Sequence, residues 1–450
     1  MKSGARARLT AIFRAALAAV DAEAAVRRAL HRNGAQLGIA GRAIAPKARL
    51  VVVAAGKAAA GMAAGVEAVA VDRIAAGLAV TKDGHGRALS RVALRESSHP
   101  VPDARCEAAA RELLAMAASA DPDDVLLVLL SGGASSLLAC PQPGLTLDEV
   151  ARTTAALLAA GADIRELNSV RKHLVEVAGG RLARAAAARR IEVLIVSDVL
   201  GDALDVIASG PCTPDPSTFA DALAVLEAHA LRERVPPRVL AHLEAGVRGA
   251  RAESPKPGDP GFARVHATIV ASLGDALRAA GAAARAQQLH PVVVSAMLHG
   301  EARIAGRRLA ALARSLAPAR APTCLLAGGE TTVTVRGAGV GGRSQELALA
   351  AAIELAGCDD AVLLAAGTDG SDGPTDAAGA FADGGSVARA ASRGADAARA
   401  LADNDAYAFF AEEGGLLRTG PTGTNVMDLV LIEVQSGGPQ LPFPIASKSV

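Results

Sequence analysis

One stretch decides the fold: Val125-Leu-Leu-Val-Leu-Leu-Ser-Gly-Gly-Ala-Ser-Ser136. Its first six residues are uniformly apolar, which is typical of a strand buried on both faces of a parallel sheet. The strand runs into small residues, and such strand-to-helix turns are where α/β proteins hold anionic ligands. The stretch therefore predicts an α/β fold. The residues predicted to bind an anion are Ser131, Gly132, Gly133, Ser135 and Ser136.

Similar apolar runs recur along the chain and alternate with Ala-rich helical stretches. We predict buried strands at 50–54, 77–80, 125–130, 193–196, 291–295, 323–327 and 361–365. This alternation indicates a parallel sheet covered by helices on both faces. The chain of 450 residues exceeds one hydrophobic core, and a proline-rich loop spans 253–261, so we predict two domains, 1–255 and 256–450. The residues after 437 are predicted to be a strand exit or a loose tail.

The composition argues against several classes of function. Lys and Arg (47) balance Asp and Glu (46) to a net charge of +1, and aromatic residues are only 2% of the chain. Without a positive field or aromatic stacking surfaces, we expect no binding of nucleic acid. Charged residues interrupt every Ala-rich segment, so we predict no membrane span. The five scattered cysteines indicate thiols in a reducing environment, and hence a cytoplasmic protein.

Two cations follow predicted strands. Lys57 comes after strand 50–54 and is predicted to open a helix, where it opposes the helix dipole unless an anion binds nearby. A solvated lysine is the alternative interpretation. Arg343 follows Gly341-Gly342 at the start of a predicted helix, and a guanidinium can hold a phosphoryl group through two parallel hydrogen bonds.

The glycines in and before this segment allow a second interpretation. Gly337, Gly339 and Gly342 match the G-x-G-x-x-G pattern of dinucleotide-binding loops. However, residues 331–335 alternate Thr and Val, which predicts a half-exposed strand rather than the doubly buried strand of a dinucleotide fold. The dinucleotide interpretation is therefore weak, and an NAD(P)H-dependent reductase remains as the alternative enzyme.

Carboxylates also gather after predicted strands. Asp198 and Asp202 follow strand 193–196, and Mg²⁺ usually takes one or two carboxylates together with phosphate oxygens and waters. For Asp202 a helix N-cap is the alternative. Further polar residues are predicted to bind substrate or phosphate: Asn168, Arg171, Lys172, Glu330, Gln345 and Asp369. For Arg171 and Lys172 the alternative is a solvated helix face.

Taken in order, these loops resemble the glycerate 2-kinase family of MOFRL type. The motifs that carry the resemblance are Gly56-Lys-Ala-Ala59, Ser98-His-Pro100, Ser131-Gly-Gly-Ala-Ser135, Asn168-Ser-Val-Arg-Lys-His173, Ser197-Asp-Val-Leu-Gly-Asp202, Gly328-Gly-Glu-Thr-Thr332, Gly341-Gly-Arg-Ser-Gln-Glu346, Gly367-Thr-Asp-Gly370 and Thr422-Gly-Thr-Asn-Val-Met-Asp428. Together they cover nearly the whole chain.

The resemblance implies a Rossmann-like N-terminal domain, a smaller α/β C-terminal domain and an active site in the cleft between them. It implies transfer of the γ-phosphoryl group of ATP to the 2-hydroxyl of D-glycerate with Mg²⁺, and it makes Lys57 and Arg343 the key catalytic cations. We assign Asp198 or Asp202 to holding Mg²⁺ or orienting the substrate hydroxyl. A homodimer is compatible with the sequence. The alternatives are a hydroxypyruvate reductase and a non-catalytic module that binds sugar phosphates.

Overall fold

The structure is a computed structural model that describes residues 2–316 and 321–435, so the predicted tail after 437 lies outside the described residues. The chain forms two compact units. The N-unit comprises Ala19–Asp275 and Pro421–Val426, and the C-unit comprises Met1–Ala18, Ala276–Gly420 and Met427–Val450. Each unit therefore contains a segment from the opposite end of the chain. The domain boundary between 255 and 256 stays a prediction.

Helices and strands of the described residues are numbered in chain order. The strands are β1 Leu30–Asn33, β2 Gln36–Ile39, β3 Arg42–Ala43, β4 Leu50–Ala55, β5 Ile74–Lys82, β6 Ala93–Ser97, β7 Val125–Leu130, β8 Arg190–Val196, β9 Val265–Ala271, β10 His290–Leu298, β11 Thr323–Gly329, β12 Ala361–Gly367, β13 Gly379–Asp383, β14 Leu416–Leu417 and β15 Asp428–Val434. The α-helices are α1 Lys2–Ala19, α2 Ala22–Ala29, α3 Ala59–Ala70, α4 Ala104–Ala118, α5 Ala134–Leu137, α6 Leu147–Ala159, α7 Ile164–Leu174, α8 Arg181–Ala185, α9 Phe219–Ala228, α10 Pro237–Val247, α11 Leu273–Ala286, α12 Ala302–Leu316, α13 Arg343–Glu354, α14 Ser386–Ala391, α15 Ala397–Ala402 and α16 Ala406–Glu413.

The N-unit is organised by a six-stranded sheet with the order β6-β5-β4-β7-β8-β9, in which every neighbouring pair is parallel. Counted from β4 as the first strand, this is the order 3-2-1-4-5-6 of doubly wound folds. The predicted strands at 50–54, 77–80, 125–130 and 193–196 are confirmed within it. The strand order reverses between β4 and β7. The loops after these two strands therefore border the switch point, where doubly wound sheets bind their ligands.

Helix α7 belongs to a second apolar cluster of the N-unit, which it forms with α6, α9 and α10. The helix begins with a capping box in which Asp163 and Glu166 bond each other's backbone amides. Leu167, Val170 and Leu174 recur at helical spacing and are buried in the cluster. Packing of these residues fixes the orientation of the helix. It therefore also fixes the directions in which the polar side chains between them leave the helix.

The C-unit contains a mixed six-stranded sheet with the order β10-β11-β15-β12-β13-β14. Strand β15 is fully buried and runs antiparallel to both of its neighbours. Its first residue, Asp428, pairs with Gly329 at the end of β11 and with Gly367 at the end of β12. The register therefore brings the loops after β11 and β12 to the start of β15.

The prediction of a half-exposed strand at 331–335 is wrong. Only an isolated bridge between Thr332 and Glu301 forms there. Beyond that bridge the backbone amide of Thr334 bonds the Glu301 carboxylate, and Asn404 accepts from the amides of Arg336 and Gly337. Side chains thus take the hydrogen bonds that a strand neighbour otherwise supplies.

Helices α12 and α13 of the C-unit approach each other closely through small residues. Most of α13 is buried, and its middle is the run Leu347-Ala-Leu-Ala-Ala-Ala352. Gly306 of α12 faces the backbone of Leu347, so that a Cβ at position 306 overlaps the Leu347 carbonyl oxygen. In the parts of the chain that are described, no helix is both long and apolar enough to cross a membrane.

The contact at Gly306 makes a stability prediction. We expect Gly306→Ala to lower the free energy of unfolding of the C-unit by about 1–3 kcal/mol, since the new methyl group forces the two helices apart. Gly281→Ala in α11 is the matched control, because the nearest atom to its new Cβ, Leu326 Cδ1, lies 3.6 Å away. That variant should be neutral or slightly stabilising. Urea denaturation measures both, and equal stability of the two variants would contradict the packing argument.

Candidate active site

At the switch point of the N-unit, the loops after β4 and β7 are bonded to each other. The amide of Lys57 donates to the Gly132 carbonyl oxygen at 2.8 Å, and the amide of Ala58 donates to Ser131 Oγ at 3.1 Å. Gly56 has φ +125°, and a Cβ there overlaps Ser131, so only glycine lets the loops cross. The crossing places Lys57 beside the loop Ser131–Ser136, which is predicted to bind an anion and is called the anion loop. The prediction that Lys57 opens a helix is wrong, because α3 begins at Ala59 and the bond to Gly132 holds Lys57 in the preceding turn.

Asp198 approaches the same turn from the end of β8. Its Oδ2 accepts a hydrogen bond from Asn425 Nδ2 at 3.2 Å, and a Cβ at Gly132 overlaps both side chains. Asp202 lies further along, in the 3-10 turn Leu200–Asp202, with φ +55°. Among the described residues the next α-helix after it is α9, so the N-cap alternative for Asp202 does not hold.

His99 completes the surroundings of the turn. A Cβ at Gly133 lies 2.9 Å from His99 Nε2 and 3.5 Å from Lys57 Cγ, so the two side chains flank the glycine. The sequence prediction omitted His99 and Asn425 from the site, although both stand in quoted motifs. A histidine or an asparagine in a loop is too common for its position to be recognised without the fold.

A buried chain of hydroxyls connects the anion loop to α7. Ser135 Oγ lies 2.9 Å from Ser209 Oγ, which donates to Asn168 Oδ1 at 2.8 Å. Ser209 and the preceding Ala208 both have positive φ, a conformation that is costly outside glycine and found often at functional sites. Ser136 Oγ faces the Gly133 carbonyl oxygen at 3.5 Å. Of the predicted residues, the network joins Ser135 and Asn168, whereas the Ser136 hydrogen bond lies within the anion loop.

The two predicted cations of α7 differ in their surroundings. Lys172 is buried, and its ammonium group pairs with Asp215 at 3.2 Å and Asp205 at 3.5 Å. Burial by itself raises the pKa of Asp215, but the Lys172 charge and nearby hydroxyls outweigh it and lower that pKa. Arg171 is different, because within residues 2–316 and 321–435 its guanidinium makes no hydrogen bond or ion pair. Burial lowers the pKa of Arg171 to about 10, so it is still charged at neutral pH.

In the C-unit, Arg343 is the first residue of α13 and is held by two carboxylates. Its Nε and Nη2 donate to the two oxygens of Asp428 at 2.6 and 3.0 Å, and its Nη1 donates to Glu330. Burial by itself lowers the pKa of Arg343, but the Asp428 charge outweighs it and raises that pKa above its ordinary value. One guanidinium and two carboxylates give this cluster a net charge of 1 − 2 = −1.

Asp372 caps the same helix. Its two carboxylate oxygens accept from the amides of Ser344 at 3.0 Å and Gln345 at 2.7 Å. The Gln345 side chain donates to Thr375 Oγ1 at 2.9 Å. Burial, together with the Asp428 charge, raises the pKa of Asp372 to about 7. Asp428 ends a quoted sequence motif and Asp372 follows another, but neither was assigned to the site, since only the tertiary fold brings them to Arg343.

Glu330 and Asp369 occupy the loops that the β15 register brings together. Asp369 accepts from the amide of Ser371 at 3.1 Å and from its hydroxyl at 3.2 Å, as in a turn stabilised by its own side chain. A Cβ at Gly367 lies 3.3 Å from Asp369 Oδ1 and 3.4 Å from Asp428 Oδ1. Asp369 therefore lies near the carboxylate that holds Arg343.

The backbone amides of the glycine-rich loop 336–340 donate hydrogen bonds to other residues of the protein. The amides of Arg336 and Gly337 donate to Asn404 Oδ1 at 2.7 and 3.1 Å. The following three amides donate to oxygens of Asp403 and Asp405 at 3.0–3.2 Å. A dinucleotide-binding loop uses such amides to hold pyrophosphate. In this protein they already have acceptors, which argues against the dinucleotide interpretation.

The described residues contain no group of three or more His, Cys, Asp or Glu side chains that could hold a metal ion unaided. Mg²⁺ bound together with a nucleotide needs only one or two carboxylates, since phosphate oxygens and waters fill the other positions. Asp198 at the switch point fits that requirement by its chemistry and place. Asp202, in the following 3-10 turn, stays the second predicted metal ligand.

Fold and site together define an α/β enzyme whose strand-end loops present amides, hydroxyls, cations and carboxylates. A domain of unknown function, DUF4147, matches residues 8–244, and the MOFRL family matches residues 323–428. The chain is 39% identical to "Glycerate 2-kinase" of Pyrococcus horikoshii, over 94% of this chain and 95% of that protein. A crystal structure of glycerate kinase from Thermotoga maritima superimposes with a TM-score of 0.80 at 38% identity, over 95% of this chain and 98% of that chain.

A relative from Agrobacterium vitis, 41% identical over 94% of this chain and 93% of its own length, carries a hydroxypyruvate reductase name. The crystal structure and the Pyrococcus relative carry kinase names, and the engaged amides of the loop 336–340 disfavour the reductase. The chain belongs to the glycerate kinase family, with a DUF4147 domain followed by a MOFRL domain. The resemblance seen in the sequence is thereby confirmed.

The position of Asp372 predicts a pH dependence of stability. Its pKa in the folded protein, about 7, lies above the ordinary 3.8, so folding retains a proton that the unfolded chain loses. The free energy of unfolding should therefore fall between about pH 4 and pH 7, by an amount on the order of 4 kcal/mol from this residue. Asp372→Asn should remove most of that fall. The exposed Asp376→Asn, whose parent carboxylate pairs with Arg418, should not. Identical pH profiles for wild type and Asp372→Asn would contradict the argument.

Proposed function

We propose that the protein transfers the γ-phosphoryl group of ATP to the 2-hydroxyl of D-glycerate and forms 2-phosphoglycerate. The observation that carries this proposal is the switch point, where Lys57 and the anion loop meet Asp198 and Asn425. Phosphoryl transfer needs positioning and charge neutralisation more than covalent chemistry, and these groups supply both. Membership of the glycerate kinase family supports the choice of substrate.

Within this proposal, Lys57 stabilises the charge of the transferred phosphoryl group. The anion loop Ser131–Ser136 binds anionic oxygens through the amides and hydroxyls that its own contacts leave available. Asp198 orients the 2-hydroxyl or holds Mg²⁺, and its hydrogen bond from Asn425 fixes the carboxylate for either task. Mg²⁺, when bound with ATP, neutralises phosphate charge and aligns the donor.

Arg343 is the second proposed catalytic cation. A guanidinium carries five N–H donors, and Asp428 and Glu330 use three of them, so donors remain for phosphate oxygens. The carboxylates also fix the plane of the guanidinium, which reduces the entropy lost on binding. Because the cluster has a net negative charge, we expect phosphate to bind there only together with a cation, which is a further reason to propose Mg²⁺.

Cytoplasmic location and a homodimer stay predictions.

The reaction itself is the first test of the proposal. With ATP, Mg²⁺ and D-glycerate, we expect ADP release that needs all three components and a product that ³¹P NMR identifies as 2-phosphoglycerate. NADH with hydroxypyruvate is the control and should show no oxidation. NADH oxidation with only background ADP release would replace the kinase by the reductase.

Lys57→Ala tests the switch point. We expect kcat to fall about 10²–10³-fold, the usual cost of removing one group that stabilises developing charge. The melting temperature should change little, because the variant keeps the backbone amide of Lys57, which makes the bond to the Gly132 loop. Lys47→Ala, an exposed lysine ahead of β4, is the matched control and should keep full activity. Near-normal kcat for Lys57→Ala would contradict the catalytic role and favour the alternative interpretation, a solvated lysine.

A further inference from the structure

A cavity of about 370 Å³ opens in the N-unit next to the anion loop. Its walls are largely apolar and include Pro100, Val101, Pro102, Val150 and Leu158. Ser135 and Ser136 of the anion loop line it as well, and Pro100 follows His99 directly in the chain. The cavity therefore borders the anion loop, whose first residues are bonded to the Lys57 turn.

Arg171 lines this cavity and has no acceptor within the described parts of the chain. Its neighbour Lys172 meets two carboxylates, and Arg152, which also lines the cavity, is exposed and lies 3.6 Å from Asp148. Burying a guanidinium without a counter-charge is unfavourable, because the lost hydration is not replaced. The unpaired guanidinium beside two hydroxyls therefore points to an anionic ligand that completes the site.

We propose that Arg171 binds the carboxylate of the hydroxy-acid substrate and that the apolar walls face the C3 end of the molecule. This proposal rests on the proposed function and deepens it. One unpaired guanidinium against largely apolar walls suits a ligand group with one negative charge better than a triphosphate. Because Ser135 and Ser136 belong to the anion loop, we place the adjacent 2-hydroxyl toward that loop.

The size of the cavity extends the inference to substrate range. Its volume lies at the lower end of pockets that enclose whole small-molecule ligands, about 300–1,000 Å³. Glycerate fills only a part of that space. We therefore infer that the enzyme also phosphorylates D-2-hydroxy acids with apolar side chains, such as D-2-hydroxy-4-methylpentanoate.

The first experiment compares Arg171→Gln with wild type on D-glycerate and on its uncharged amide, D-glyceramide. We expect kcat/KM for glycerate to fall about 10- to 100-fold in the variant, the usual effect of losing a hydrogen bond between charged groups. The KM for ATP and the activity on glyceramide should stay within twofold. Arg165→Gln is the matched control, with unchanged constants, because Arg165 is an exposed arginine of the same helix that does not line the cavity. A raised KM for ATP with unchanged use of glycerate would overturn the proposal and make Arg171 a nucleotide-binding residue.

Arg171→Lys covers the case in which the glutamine variant does not fold. It keeps the charge but not the planar fork, so a smaller loss confined to glycerate supports the proposal, and an unchanged kcat/KM for glycerate overturns it. Wild type is assayed first with ATP and D-glycerate. An inactive wild type counts against the proposed function, whereas an active wild type with an unaffected Arg171→Gln counts against the Arg171 site alone.

The second experiment tests the apolar walls. Ala151→Leu, on the side of α6 that lines the cavity, narrows it without removing a polar contact. We expect this variant to lose about tenfold in kcat/KM for D-2-hydroxy-4-methylpentanoate, while glycerate stays within twofold. Failure of wild type to phosphorylate the longer acid, with glycerate turned over normally, would overturn the inferred substrate range.

Discussion

The register of β15 between β11 and β12 is the constraint on which the C-unit site depends. Asp428 begins this strand and faces Gly329 on one side and Gly367 on the other, so both neighbouring loops start beside its carboxylate. That carboxylate then fixes Arg343. A slip of one residue would turn Asp428 to the opposite face of the sheet and leave the guanidinium without its main partner.

In the N-unit a parallel sheet brings the loops of the site together. There the strand order reverses between β4 and β7, and the two loops at that point cross through Gly56. In both units a rigid, apolar sheet fixes the start of each loop, and the loops carry the polar groups. The apolar residues of the chain thus build the sheets, and the polar groups of the sites lie in the loops. Packing also explains the proposed selection by Arg171, which is held by the packed face of α7.

The sheets were largely predictable from sequence, because continuous apolar runs such as 125–130 have few other stable solutions than a buried strand. The loops that bear Lys57, Ser131 and Asp198 were predictable for the same reason, since they follow such runs. Long-range pairing was not. The antiparallel insertion of β15, the carboxylates around Arg343 and the bonding of the loop 336–340 to Asn404 join residues far apart in sequence, and no local pattern encodes them. The strand predicted at 331–335 failed because that distant asparagine and Glu301 took its hydrogen bonds.

A double-mutant cycle between Arg343 and Asp428 tests the central claim most directly, namely that Asp428 acts in phosphoryl transfer by positioning Arg343. The measurement is the single-turnover rate of phosphoryl transfer at saturating ATP and D-glycerate for Arg343→Gln, Asp428→Asn and the double variant. The account predicts that each single variant is slow and that the double variant is no slower than Arg343→Gln alone, since Asp428 has nothing left to position. Fully additive losses would show that the two residues act independently and would contradict it.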